Sequence, residues 1–279
     1  MVHKNVLISI VIPCFNDFQY VEQAINSALN QTYPHKEIIV VDDGSNFQTK
    51  EILKQLEPKI TKLISQENQG QSKARNAGIE AAKGDYILVL DSDDYLELTF
   101  CEKAISFFLN DVDVKIVSCF ANLLFEDGTL SVYEPQGGDI SDFLCTNNAL
   151  GTSLFKKSDW VNCGGYDEGM RKGFEDWEFF IRLLKNGGYT KIVQEPLYNY
   201  RKRKESTTKV ANKNKYELLH YIYTKHKDLT ITYYDVFISD LLSRIKKEEN
   251  EKLKNLQKVE FKIGKIILRP IRFIKSIFN

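Results

Sequence analysis

An α/β fold, with a mostly parallel sheet and helices on both faces, is predicted by two observations. Over the first hundred residues apolar strands alternate with segments of helical period, and the strands repeatedly end in acids and glycine. The strands are also continuous β-branched runs, as expected of strands covered on both faces. "NVLISIVIP" is the first, and "DFQYVEQAINSALNQTY" follows with Tyr20, Ala24, Ala28 and Leu29 at helical spacing. "KEIIVVDDGS" repeats the design, residues 47–57 form the next helix, and "TKLISQ" is a third strand. "NQGQSKARNAGIEAAKGDY" opens an alanine-rich helix from a glycine-punctuated loop, and "YILVLDSDDY" is the fourth strand.

Beyond residue 100 the pattern is less regular. A helix is expected near 97–110, a strand over "VKIVSCFANLLF", a turn at "EDGT" and a Gly- and Asn-rich loop to about 151. A short strand, a helix, a glycine turn and an exposed loop then lead to a helix starting near Glu175. That helix has acids in its first turn, apolar Trp177, Phe180, Ile181 and Leu184, and a Gly-Gly stop. "YTKIVQEPLYNYRKRKES" closes the pattern as a strand and a basic loop.

The 279 residues suffice for one large α/β domain plus an appendage, and 43% hydrophobic with 27% charged content is ordinary for a globular chain. Net charge is zero but unevenly spread, since residues 252–279 hold eight basic residues against Glu260 alone. Cys14, Cys101, Cys119, Cys145 and Cys163 are odd in number and widely spaced, which fits neither a disulfide framework nor a zinc knuckle and suits a reducing, cytoplasmic setting. The apolar run "VLISIVIPCF" is too short to span a bilayer and reads as a core strand.

The chemistry gathers where the strands end. In such sheets ligands collect beyond the carboxyl ends of the strands, which is where Asp42, Asp43, Asp91, Asp93 and Asp94 fall. Carboxylates about 6 Å apart repel by about 3 kcal/mol per pair at an effective dielectric near 20, so a cation is expected among them. The plain alternative is that Asp and Gly terminate strands as turn formers and caps. A phospho-acceptor receiver would close its first strand with the acid pair, but this strand ends in Pro13-Cys14.

"SIVIPCFND", "VVDDGS", "NQGQSKARNAG", "KGDYILVLDSDD" and "GFEDWEFFIRL", in this order and spacing, resemble the GT-A-fold, family 2 glycosyltransferases over roughly residues 6–205. The resemblance implies a GT-A catalytic domain over 1–210, with a nucleotide-sugar half at about 1–95 and an acceptor half at about 96–210; from about 211 the composition shifts to Lys, Tyr and Leu with helical spacing, a helical, basic extension over 211–279. It implies an inverting, metal-dependent transferase that moves a sugar from a nucleoside-diphosphate sugar, a UDP-sugar, to a hydroxyl on a glycan or lipid-linked glycan in surface-polysaccharide assembly. Mn²⁺ or Mg²⁺ would sit on Asp93, with Asp91 on the ion, its water or the ribose and Ser92 between them; such hard cations prefer carboxylate oxygens. Pro13, Phe15, Asp42 and Asp43 would meet the nucleobase, Asp42 equally able to orient loop amides. Arg75 would pair with the acids or a phosphate. Asp176 would be the base, with Glu175 assisting the acceptor.

One departure stands out: relatives carry a tyrosine-arginine-x-histidine pattern where this chain reads "YRKRKES", so Arg203 takes the histidine place. A guanidinium cannot coordinate a cation, and Arg201, Arg203 or Lys204 is expected to grip the diphosphate as a flexible lid. The alternatives are a nucleotidyltransferase, which would carry a glycine-rich basic loop that "PCFNDF" lacks, and a catalytically silent nucleotide-sugar-binding protein. No nucleic-acid partner is expected. For 252–279 two readings stay open: peripheral contact with the anionic inner face of the cell membrane, or packing on the catalytic domain or on a second subunit of a homo-oligomer.

Overall fold

The computed structural model describes residues 6–204, 206–261, 263–264 and 267–268. β1 (Ile8–Cys14), α1 (Val21–Leu29), β2 (Lys36–Asp43), α2 (Phe47–Leu56), β3 (Lys62–Gln66), α3 (Gln71–Ala81) and β4 (Tyr86–Val89) form the regular first part. β1 pairs in parallel with β2 and with β4, and β2 pairs in parallel with β3. All seven residues of β1 are buried because both faces are covered. Ile8, Ile10 and Ile12 pack with Val21, Ala24 and Ile25 of α1 in the main core, each buried Ile or Val side chain contributing about 1.5–3 kcal/mol.

α3 covers the other face at close range. A Cβ on Gly78 would fall 2.4 Å from Val11 Cγ1 and 3.0 Å from Val41 Cγ2, so only glycine admits this approach. Pro13 is tolerated inside β1 because pairing with β4 ends at Val11–Val89, leaving Pro13 opposite Val41 of β2 alone.

The second part comprises β5 (Tyr95–Leu96), α4 (Phe100–Asn110), β6 (Val114–Phe125), β7 (Leu130–Tyr133), α5 (Ile140–Phe143), β8 (Leu154–Lys156), α6 (Lys157–Cys163), α7 (Glu175–Leu184) and β9 (Tyr189–Lys202). Among the described residues the strands make one nine-stranded sheet in the order β3-β2-β1-β4-β8-β6-β9-β5, with β7 on β6. β8 enters antiparallel between β4 and β6, while the long β6–β9 ladder is parallel. The sheet is thus mixed and mostly parallel, its parallel order concentrated where the sequence repeats strand and helix.

α8 (Thr207–Lys213), α9 (Lys215–Lys225), α10 (Lys227–Thr232) and α11 (Tyr234–Gln257) follow. Residues 1–229 form one compact unit, so the sequence boundary at 210 falls within it; Ala211, Leu218, Ile222 and Leu229 are buried. Glu178 of α7 anchors this stretch. Fully buried, it accepts from Arg182 Nη2 at 2.7 Å and lies 2.8 Å from Lys225 Nζ and 3.0 Å from His226 Nε2. Burial alone would raise its pKa, but hydrogen bonds from His226 and Arg182 carry it down to about 2.

The second unit spans Thr230–Asn279. Its helix α11 buries no residue and exposes Tyr234, Leu242, Ile245 and Leu253. Much of the basic segment 252–279, including 269–279, lies outside the described residues. Among the described residues no helix is long and apolar enough to cross a membrane. The cysteines are free thiols, and burial pushes Cys14, Cys101 and Cys119 up to about 12, so these serve packing.

Candidate active site

β2 ends in Asp42 and Asp43, both buried. Asp42 Oδ1 accepts from the Ser45 amide at 2.8 Å. Asp43 Oδ1 accepts from Gln66 Nε2 at 2.7 Å and the Gln69 amide at 2.8 Å, and its Oδ2 accepts from the Gly70 amide at 2.9 Å. A carboxylate offers about four lone-pair sites, so Asp43, expected to face a nucleobase, has most of its capacity committed to the loop that starts α3. Phe15, just past β1, is 48% exposed on the same rim, whereas Pro13 is buried in the strand.

The turn after β4 behaves differently. Asp91 Oδ1 pairs with Arg75 Nη2 at 2.8 Å and Asp93 Oδ2 with Arg203 Nη2 at 2.6 Å. Ser92 donates to Asp17 Oδ2 at 2.6 Å, and Asp17 Oδ1 receives Arg203 Nη1 at 2.9 Å. Arg203, expected over a diphosphate, is therefore seated on two carboxylates. Asp94 is fully buried and structural: it accepts from the Tyr198 hydroxyl and, at 2.7 Å, from the Arg201 amide, which ties this turn to β9. The Arg201 guanidinium lies 4.8 Å from the Tyr20 ring centroid and 5.0 Å from that of Tyr95. Burial, and then Asp91, push the Asp93 carboxyl up to about 6 against the pull of Arg203.

Arg75, only 4% exposed, joins the two halves. Its Nη1 meets Glu175 Oε1 at 2.5 Å while its Nη2 holds Asp91, and its Cζ sits 5.4 Å from the Tyr166 ring centroid. The sequence offered pairing with acids or with phosphate; the fold realises the acids. Glu175 and Asp176 are positioned by the tight entry to α7, where Phe174 adopts a left-handed backbone (φ 63°) rare for a bulky residue and its ring packs edge-on to Trp177.

Asp176 is partly exposed; its Oδ2 accepts from Asn147 Nδ2 at 3.2 Å and its Oδ1 from the Trp177 amide at 2.7 Å. Burial, reinforced by the Glu175 charge and opposed by Arg75, pushes its pKa up to about 7. A carboxylate so poised can accept a proton near neutral pH. Gly151 lies against it, a Cβ there falling 3.1 Å from Asp176 Oδ2. Arg75 Nε, Glu175 Oε2 and Tyr166 OH are buried without a hydrogen-bond partner among the described residues, so unmet polar capacity concentrates around Arg75.

The donor chemistry suits a hard divalent ion. Among the described residues no group of three potential ligands is assembled. Asp91 and Asp93 are nonetheless two carboxylates, each with one oxygen bound to a guanidinium, that of Arg75 on the first and that of Arg203 on the second. Ions such as Mg²⁺ are commonly held by one or two carboxylates together with substrate phosphates.

Sequence reasoning passed over Asp17, Asn147 and Glu178. Asp17 stood within "PCFND" on the same rim, which was a usable signal; Asn147 and Glu178 carried none. Asn76, next to Arg75 in α3, is structural: its Nδ2 donates to Tyr166 O at 2.9 Å and its Oδ1 accepts from the Tyr166 amide at 2.8 Å. A separate shallow concavity lined by Lys103, Phe107, Tyr189 and Glu195 contains none of the site acids.

Comparison with known proteins places these features among relatives. Residues 9–159 match the sequence profile described as Glycosyl transferase family 2. The chain is 30% identical over 203 residues to a chondroitin synthase of Pasteurella multocida (strain Pm70), covering 71% of this chain and 21% of that one, so it spans about a fifth of that synthase. It is 30% identical over 207 residues, 72% of this chain and 81% of the other, to a putative teichuronic acid biosynthesis glycosyltransferase, TuaG, of Bacillus subtilis (strain 168). Among solved structures, residues 1–349 of S. aureus TarS in complex with UDP-GlcNAc superpose with a TM-score of 0.69 at 18% identity, covering 91% of this chain and 77% of that one.

Proposed function

The chain belongs to glycosyl transferase family 2, and from that premise we propose that it transfers a sugar from a UDP-sugar to a hydroxyl of a glycan or lipid-linked glycan, with inversion at the anomeric carbon. The observation that carries this reading is Arg75, which draws Asp91 of one acid group and Glu175 of the other into a single site beside Asp176. The acceptor oxygen attacks the anomeric carbon, its proton passes to Asp176, and the bond to the diphosphate breaks with its electron pair leaving on the phosphate oxygen. One displacement inverts the configuration, and no second nucleophilic carboxylate is required.

Asp176 suits the role of base because its carboxyl is pushed up to about 7, near neutrality, and Asn147 and Gly151 restrict where it points. Asp93, with Asp91, would hold Mn²⁺ or Mg²⁺, which supplies charge neutralisation to the departing diphosphate. Phe15 offers its exposed ring to the nucleobase, while Asp43 acts beneath by holding the 66–70 loop in place. The basic end of the chain, 252–279, supplies attraction to an anionic membrane surface where a lipid-linked acceptor would reside.

The test is a panel of UDP-sugars assayed for Mn²⁺-dependent UDP release and for thermal shift. Expected is release with at least one donor and acceptor, lost in Asp176→Asn while the UDP-induced thermal shift survives. Full activity in Asp176→Asn, or no shift with any nucleotide, would remove the proposal.

A further inference from the structure

Arg203 and Arg75 both neutralise the acids after β4, but in unlike ways. Arg75 is almost wholly buried and reaches Asp91 from within the fold, braced by Glu175 and the Tyr166 ring. Arg203 comes from the end of β9 with 32% of its side chain exposed, onto acids that are themselves more buried, 12% for Asp17 and 16% for Asp93. Its holds are Asp17 Oδ1, Asp93 Oδ2 and the Tyr20 ring, whose centroid is 5.6 Å from Cζ; its Nε has no partner among the described residues. Asp17 is turned toward it by the Ser92 hydroxyl. The first arginine is built into the fold, and the second is laid on from the solvent side.

A guanidinium on Asp93 Oδ2 takes up part of that carboxylate's lone-pair capacity, and a metal ion brought onto the same group meets a second cation at close range, which repels it. The two therefore compete for Asp93. Arg203 does have a second kind of partner within the proposed chemistry, because a guanidinium fork matches phosphate oxygens as well as carboxylates.

We propose that Arg203 is a resident counter-ion which a divalent metal must displace from Asp93, and that the guanidinium moves from there onto the phosphates of the nucleotide, with Asp17 as the post to which it returns. The inference rests on the reading that the metal binds at Asp93. Its consequence is a coupling between ligands. Metal alone must evict a cation that has nowhere better to go, whereas metal with a nucleoside diphosphate provides the new partner, so each tightens the other by the same factor.

Titrating Mn²⁺ and following the loss of the free-ion electron paramagnetic resonance signal reads this directly, with no turnover needed. For the natural chain, weak binding of Mn²⁺ alone and binding at least 30-fold tighter in saturating UDP are expected. In Arg203→Ala and Arg203→Gln, Mn²⁺ alone should bind at least tenfold tighter, and the UDP-dependent gain should shrink to a few-fold. Circular dichroism melting confirms that each variant is folded. If both variants bind Mn²⁺ alone no more tightly than the natural chain while Asp93→Ala abolishes binding, the counter-ion role is overturned and the metal reading stands. If both bind more tightly but keep the whole UDP-dependent gain, the transfer of Arg203 to phosphate is overturned. If Asp93→Ala leaves Mn²⁺ binding in UDP unchanged, the metal reading itself falls, and this inference with it.

Discussion

β2 and β4 flank β1, and each ends in a cluster of acids at the same rim, yet the two clusters have opposite fates. After β2, Asp43 has most of its capacity taken from within by Gln66, Gln69 and Gly70, and Asp42 caps its own turn at Ser45. After β4, the salt-bridge partners of Asp91 and Asp93 are the guanidinium groups of Arg75 and Arg203, and Asp93 is pushed up to about 6 because burial and neighbouring acids outweigh Arg203. The contrast teaches that an acid with most of its lone pairs taken by amides of one loop becomes architecture, while an acid with capacity to spare stays available for chemistry. Removing a satisfied acid should therefore cost stability, and removing a poised one should cost turnover.

The largest effect expected on this view is at Asp176. Asp176→Asn should lower kcat by about 10²–10⁴ with little change in melting temperature, since a positioned base contributes on that order. Because the base acts deprotonated, kcat/KM of the natural chain should fall on the acid side of about pH 7, roughly tenfold per unit, and the asparagine variant should lack that limb.

Glu178 is the opposite extreme. Glu178→Ala takes the buried carboxylate from Arg182, Lys225 and His226 and should destabilise the chain by about 3–5 kcal/mol in urea unfolding. Its carboxyl is carried down to about 2 in the fold, so its contribution is complete above the unfolded value near 4.5 and is lost as pH falls toward 2. Asp43→Ala comes next. It leaves the Gln69 and Gly70 amides unpaired and should cost about 1–3 kcal/mol, with KM for the donor rising more than kcat falls. An Asp43→Ala chain of unchanged stability with kcat alone abolished would break the comparison.

The smallest effect is expected at Gly151. Gly151→Ala places a methyl 3.1 Å from Asp176 Oδ2, and displacing the carboxylate by a few tenths of an ångström should lower kcat by roughly three- to tenfold. Stability should stay within about 1 kcal/mol.

The fold was legible where it is regular. Continuous β-branched runs bounded by turn residues located β1, β2 and β4, because burial on both faces leaves a local trace. The antiparallel entry of β8 was not legible, since its three residues carry no sign of their partners in β4 and β6. In the site, Asp91, Asp93, Glu175 and Asp176 were readable as candidates from motif and position. Glu178 was not, because one more acid in a first helical turn is indistinguishable from a dipole partner until Arg182 and the distant His226 close over it.

The order of apolar and polar residues by itself determined that strands and helices alternate and that acids gather along one rim, for these follow from periodicity and turn chemistry within a few residues. Only the tertiary structure decided which acids would be satisfied, because the donors arrive from far along the chain: Gly70 reaches Asp43 across 27 residues, Arg75 reaches Glu175 across 100, and Arg203 reaches Asp17 across 186. Hydrogen-bond saturation of a carboxylate is a property of the assembled neighbourhood, and a linear pattern does not contain it.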